Sequence, residues 1–168
     1  MKKIVLLIAA IVFAAVLANA QDGWVTHRAD NRISIKFPTE PSEKVPGSFI
    51  AVSKDSSVAY IFTVVDFVQV ANIDSVALAP VKATPEFAAQ LKAGVQHGLN
   101  DVNLSDFVIG TWKGFTSYTA SGTDDKNKRY DIFMVIIGNK AYSFSTVISK
   151  GASLQNRDDF LKTITLSN

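Results

Sequence analysis

The chain has no cysteine. That excludes a disulfide framework, a thiol nucleophile and any thiolate metal site. It also excludes lipid attachment after signal cleavage, which needs a cysteine at the new N-terminus, where Asn19-Ala20-Gln21 offers none. Histidine is nearly as scarce: His27 and His97 are the two imidazoles available to acid–base or metal chemistry. No G-x-S-x-G elbow is present for a serine nucleophile, and neither G-x-G-x-x-G nor a Walker loop is present to cradle phosphate. There is no linker, low-complexity tract or internal repeat.

One long apolar run exists, at the start. Lys2 and Lys3 precede an apolar stretch over residues 4–17, and Ala18-Asn19-Ala20 follows as a small-x-small site. This layout is that of a secretory signal peptide over residues 1–20, cleaved before Gln21. The run is shorter than the roughly 20 residues a spanning helix needs. The expected product is exported to the periplasm or beyond, soluble, without a membrane anchor and not a lipoprotein. Lys+Arg number 17 and Asp+Glu 15. Losing Lys2 and Lys3 with the leader balances the two signs, so no global field draws the protein to nucleic acid. Residues 21–168 suit one ordinary domain.

The remaining sequence reads as strands, helix, strands, helix. Residues 24–27 and 32–37 flank Asp30-Asn31, turn chemistry that makes a hairpin, and alternation buries Ile33, Ile35 and Phe37. Residues 48–53 and 58–68 form a second hairpin around Lys54-Asp55-Ser56. The 58–68 strand is apolar on both faces, as a central strand covered on each side would be. Asp74-Ser75 caps a single helical turn that Pro80 ends. Thr84, Pro85 and Glu86 then open a clear helix, whose stripe is Phe87, Leu91, Val95 and Leu99, with Gly98 and Asn100 as its stop.

Strands follow over 112–121, 129–137 and 140–149, the first two joined by a polar turn over 122–127 and the last two by Gly138-Asn139. The last strand is bulky on one face and small on the other. A terminal helix over 153–164, capped by Ser153, presents Leu154, Leu161 and Ile164. The fold class is α+β, a mostly antiparallel sheet with helices packed on it. The predicted core is Ile33, Ile35, Phe37, Tyr60, Phe62, Val64, Phe87, Leu91, Val95, Ile132, Phe144 and Leu161. Leu91→Ala on such a face is expected to cost about 2–5 kcal/mol.

An early Trp24, the segment Ile33-Ser34-Ile35-Lys36-Phe37-Pro38-Thr39-Glu40-Pro41, two hairpins around one long helix, Ala141-Tyr142 in a strand and a terminal Phe160-Leu161-Lys162-Thr163-Ile164-Thr165-Leu166 stand in that order. This layout resembles the PsbP-like superfamily over nearly all of residues 21–168. The resemblance implies an α/β/α sandwich and a non-enzymatic binding or accessory role. It supplies no catalytic motif to carry over, and no residue here implies photosynthesis or Ran as a partner. Several bacterial relatives are lipoproteins, which this chain departs from by lacking the cysteine.

The remaining candidates for chemistry are sparse. His97 and Asp101 stand four apart, on one face if helical, and His27 or Asp106 would have to complete a metal site through folding. The plainer reading is a solvated helix end, with His97 favourable at the negative terminus. Asp66, between Val65 and Phe67, is either a carboxylate in a pocket or a strand-end acid bonded to a loop amide. Trp112, Phe115 and Tyr118 form an aromatic set that can be a binding platform or core, with Trp112 and Tyr118 on one strand face and Phe115 on the other. Asp124, Asp125, Lys126, Lys128 and Arg129 read as a solvated turn.

Two functions follow as expectations. One is a non-catalytic binding or accessory protein of the cell envelope, with a protein or small-molecule ligand, no cofactor, no metal and no nucleic acid. The alternative is a hydrolase or metal-dependent enzyme assembled around His97 and Asp101.

Overall fold

A computed structural model describes residues 23–99 and 101–167. The expected signal peptide over residues 1–20, the new terminus at Gln21 and the helix stop at Asn100 lie outside the described residues. The first alternating segment forms the expected antiparallel hairpin of β1 (Val25–Arg28) and β2 (Ile33–Phe37). Ile33, Ile35 and Phe37 are all fully buried. The chain's last strand, β11 (Thr165–Leu166), returns to the free edge of β2 and completes a three-stranded sheet.

The larger sheet holds β3 (Ser42–Val45), β4 (Ser48–Val52), β5 (Val58–Asp66), β6 (Val102–Leu104), β7 (Val108–Trp112), β8 (Phe115–Asp124), β9 (Arg129–Ile137) and β10 (Lys140–Ile148). Its order is β3-β4-β5-β10-β9-β8-β6, with β7 also pairing β8. The pairings are antiparallel. The helices are α1 (Phe67–Ala71), α2 (Ser75–Leu78), α3 (Pro85–Gly98) and α4 (Gln155–Lys162). None among the described residues is long and apolar enough to cross a membrane.

Alternation divides the core in two. On one face of the large sheet, Tyr60, Phe62, Tyr142 and Phe144 meet Ile33, Ile35 and Phe37 of the small sheet and Phe160 of α4. On the other, Tyr118, Ala120, Ile132, Met134, Ile136 and Ala141 lie under α3. The class is therefore α+β, mostly antiparallel, as the sequence implies. One outer layer of the sandwich is α3, and the other is shared by α4 and the three-stranded sheet. Of the predicted core, Val64, Phe87, Leu91, Val95 and Leu161 are half-buried and pack against these clusters; the other predicted positions are buried.

Several boundaries differ from expectation for local reasons. The strand expected over 58–68 ends at Asp66, whose carboxylate accepts from Val68 N–H at 3.0 Å and starts α1. Phe67 consequently leaves the strand and packs edge-on against Phe87. The strand expected over 112–121 is two strands. Lys113 and Gly114 both have positive φ, at 48° and 83°, so the chain reverses there as a two-residue hairpin turn. The polar turn is shorter than 122–127, because β8 runs to Asp124. The terminal helix starts at Gln155, leaving Leu154 45% exposed while Phe160 is buried. Ser153 still serves its end, accepting from Gln155 N–H at 3.1 Å. Strands β3 and β6 have no counterpart in the sequence reading.

Candidate functional site

The register of the large sheet assembles one concave site. Thr146 on β10 stands beside Asp131 on β9, and Asp131 beside Ser121 on β8. The next row on the same face is Phe144, Phe133, Thr119 and Val108, across β10, β9, β8 and β7. Helix α4 covers the Tyr60 end of this face, with Phe160 edge-on to Tyr60 at 5.1 Å. Its cover does not reach β7, where Val108 is 67% exposed. Between helix and strands lies a cleft of about 340 Å³, walled on the helix side by Arg157, Asp158 and Leu161.

The polar end of the cleft is an ion-pair network. Asp131 is 7% exposed and accepts from Arg129 Nε and Nη2, each at 2.8 Å. Arg157 Nη1 approaches the same carboxylate at 3.5 Å, and Arg157 Nη2 holds Asp158 at 2.7 Å. The bond to Asp131 holds the Arg129 guanidinium proton more tightly than usual, against the opposing pull of burial. Thr146 is 1% exposed, lines the cleft, and its Oγ1 has no hydrogen-bond partner among the described residues. No histidine lines the cleft, and its carboxylates, Asp131 and Asp158, are both held by guanidinium groups. The arrangement can bind and orient; it presents no free base beside a hydroxyl.

The candidate binding residues Trp112, Phe115, Tyr118 and Asp66 do not line this cleft. Trp112 and Phe115 face each other across the β7–β8 turn and so share a face, contrary to the single-strand reading. Both are half-buried; Trp112 sits edge-on to Phe133, with Lys113 Nζ 4.8 Å above its ring. Tyr118 is on the opposite face, fully buried, its hydroxyl donating to the Lys82 carbonyl, and burial pushes its phenol up to about 12. The three therefore do not form one platform. Asp66 is a strand-end carboxylate bonded to an amide, accepting from Asn139 Nδ2 at 2.6 Å as well as capping α1.

The metal alternative is also dispersed. His97 ends α3 as an exposed side chain, and Asp101 follows at φ 65°. Asp106 pairs instead with Lys92 at 2.7 Å. His27 lies against Phe37, Phe49 and Phe62, on the sheet face away from α3. Among the described residues no three or more His, Asp or Glu side chains gather closely enough to hold a metal ion.

Sequence reasoning missed Arg129, Asp131, Thr146 and Arg157. It placed Arg129 in the solvated turn, where Asp124 does organise the backbone by accepting from Lys126 and Lys128 N–H. Arg129 points instead along the strand to Asp131. The available signal was an acid two residues from an arginine inside an otherwise apolar strand, where both share a face.

No protein-family model and no curated protein matches the chain. Solved structures do. The solution structure of cyanobacterial PsbP from Synechocystis sp. PCC 6803 matches with a TM-score of 0.53 at 10% identity, over 85% of this chain and 91% of that one. A crystal structure from Bacteroides thetaiotaomicron VPI-5482 matches with a TM-score of 0.43 at 12% identity, over 88% of this chain. This chain spans about half, 49%, of that structure's length. The PsbP match has the α+β fold that the early Trp24 and the hairpin–helix–hairpin layout imply, so the chain has a PsbP-like fold.

Proposed function

We propose that this chain is an exported, non-catalytic binding protein that holds a small ligand in the cleft beside α4. The observation that carries the reading is Thr146, a buried hydroxyl without a partner at the foot of a concave, largely preformed site. Leaving such a group unsatisfied costs about 1–3 kcal/mol, and a ligand can supply the missing bond once the side chain turns towards it. The ion-paired state of Asp131 and Asp158 supports binding over turnover, because each carboxylate is already engaged by a guanidinium. The signal-like layout of residues 1–20 supports export, and the lack of cysteine there supports a product without lipid. A fold of this kind hosts many functions, so the reading rests on the site.

A fragment library titrated into ¹⁵N-labelled protein tests it. Binders are expected to shift the amides of Thr146, Phe133 and Arg157 together and to saturate. Shifts confined to the Trp112–Phe115 turn, or to the His97 end of α3, would refute the cleft as the site.

A further inference from the structure

We infer that the cleft takes an uncharged, polyhydroxylated ring, a ligand of sugar chemistry, and excludes charged forms of the same ring. This deepens the binding reading above and rests on it.

The first argument is charge. Asp131 already binds Arg129 through two hydrogen bonds of 2.8 Å and has Arg157 at 3.5 Å, while Arg157 holds Asp158. The charges of the lining are thus matched within the protein. An anion would compete with Asp131 for the same guanidinium charge and weaken the pairing of a carboxylate that is 7% exposed. A cation would meet Arg129 and Arg157 with the opposing carboxylates already engaged. A neutral ligand disturbs neither pair.

The second argument is the hydrogen-bonding capacity left over, which includes three hydroxyls. Thr146, Ser121 and Thr119 lie on one sheet face, in adjacent rows of neighbouring strands. Thr146 and Ser121 each stand opposite Asp131, so one strand separates them, and Thr119 is two residues from Ser121 along β8. Phe133 and Leu161, both half-buried, supply an apolar surface for the C–H face of such a ring. The volume of about 340 Å³ sits at the small end of ligand sites and suits one or two rings. Thr146 Oγ1 is sealed in its present rotamer. A ligand bond to it requires the side chain to turn about χ1 to another staggered position.

The test is an NMR titration of the whole chain with two matched sets. The neutral set is glucose, galactose, mannose, N-acetylglucosamine and their disaccharides. The charged set is glucosamine, glucuronate and glucose 6-phosphate. At least one neutral sugar is expected to give saturable shifts at Thr146, Phe133 and Arg157, with its charged counterparts binding about tenfold more weakly or worse. Its affinity should be nearly insensitive to added salt, since no net charge is screened. Thr146→Val should weaken it about tenfold while Thr146→Ser retains it. If Thr146→Val does not fold, Ser121→Ala is read in its place and must also weaken the sugar. A charged member binding as well as its neutral counterpart, or cleft shifts produced only by compounds without hydroxyls, overturns the sugar assignment and leaves the binding reading standing. No saturable cleft shift from the sugars or from the fragment library overturns both.

Discussion

Asp30 ties the small sheet to the large one. Its carboxylate accepts from the backbone N–H of Arg32 at 2.8 Å and of Ile33 at 3.2 Å, which shapes the β1–β2 turn. It also accepts from Tyr142 Oη at 2.6 Å and Lys140 Nζ at 3.2 Å, both on β10. Burial opposes its charge, yet these bonds, Tyr142's foremost, hold the carboxyl below its ordinary 3.8. Asp30→Ala is expected to lose about 2–3 kcal/mol in chemical denaturation, partly because Tyr142 is left unsatisfied. A depressed carboxylate stabilises the fold above its unfolded pKa, and that contribution is lost as pH falls through the folded value. The difference between the native chain and Asp30→Asn should therefore close below about pH 4. A difference constant from pH 7 to pH 3 would assign the effect to geometry alone.

His27 behaves in the opposite sense. Its ring centroid is 4.0 Å from that of Phe49, and its Nε2 is buried without a partner among the described residues. Burial lowers its pKa below the ordinary 6.5, with Glu40 and Glu43 pulling partly the other way. The folded state therefore resists protonation, so stability is lost as pH falls from the unfolded value towards the folded one. His27→Phe should gain on the native chain between pH 7 and pH 5 in paired thermal melts. An unchanged difference at the two pH values would count against a titrating His27.

At the scale of elements, α3 and α4 contribute unequally. The cap of α3 is as its sequence implies: Thr84 Oγ1 accepts from Phe87 N–H at 3.2 Å and Pro85 opens the first turn. Its apolar stripe packs only partly, for Leu91 and Val95 are half-buried and Ala88 alone in the helix is buried. Leu91→Ala is accordingly expected to cost about 1 kcal/mol, less than the roughly 2–5 of a fully enclosed leucine. Phe160 on the shorter α4 is fully buried against Tyr60 and Phe37. Phe160→Ala should cost about 3–5 kcal/mol, and it removes the wall support of the cleft as well. Urea melts of the two variants rank them directly, and an equal loss would mean that α3 packs more tightly than its burial indicates. The β7–β8 turn shows the limit of reading elements one at a time. Lysine seldom takes positive φ, so Lys113-Gly114 lacks the Asn-Gly signature that marks such turns.

For the whole molecule, export has a direct readout. Intact mass of the protein collected outside the cytoplasm is expected to begin at Gln21, with or without cyclisation to pyroglutamate. A product that retains Met1 would refute the cleavage drawn from residues 18–20. The α+β class, the β1–β2 hairpin, the Gly138-Asn139 turn and the N-cap of α3 were legible in the sequence, because each depends on residues a few positions apart. Alternation and capping are local, and local chemistry survives being read in one dimension. The cleft was not legible. Thr146 meets Asp131 only through the β9–β10 register, Ser121 joins them only through β8–β9, and Arg157 arrives from a helix that follows all three strands. A register shift of one residue would have turned Thr146 and Asp131 to opposite faces, and no composition or spacing reports on that. The sequence by itself therefore determined which segments are strands or helices and which of their faces are apolar. Tertiary pairing decided which polar groups share the concavity beside α4, because that grouping exists only once distant strands are in register.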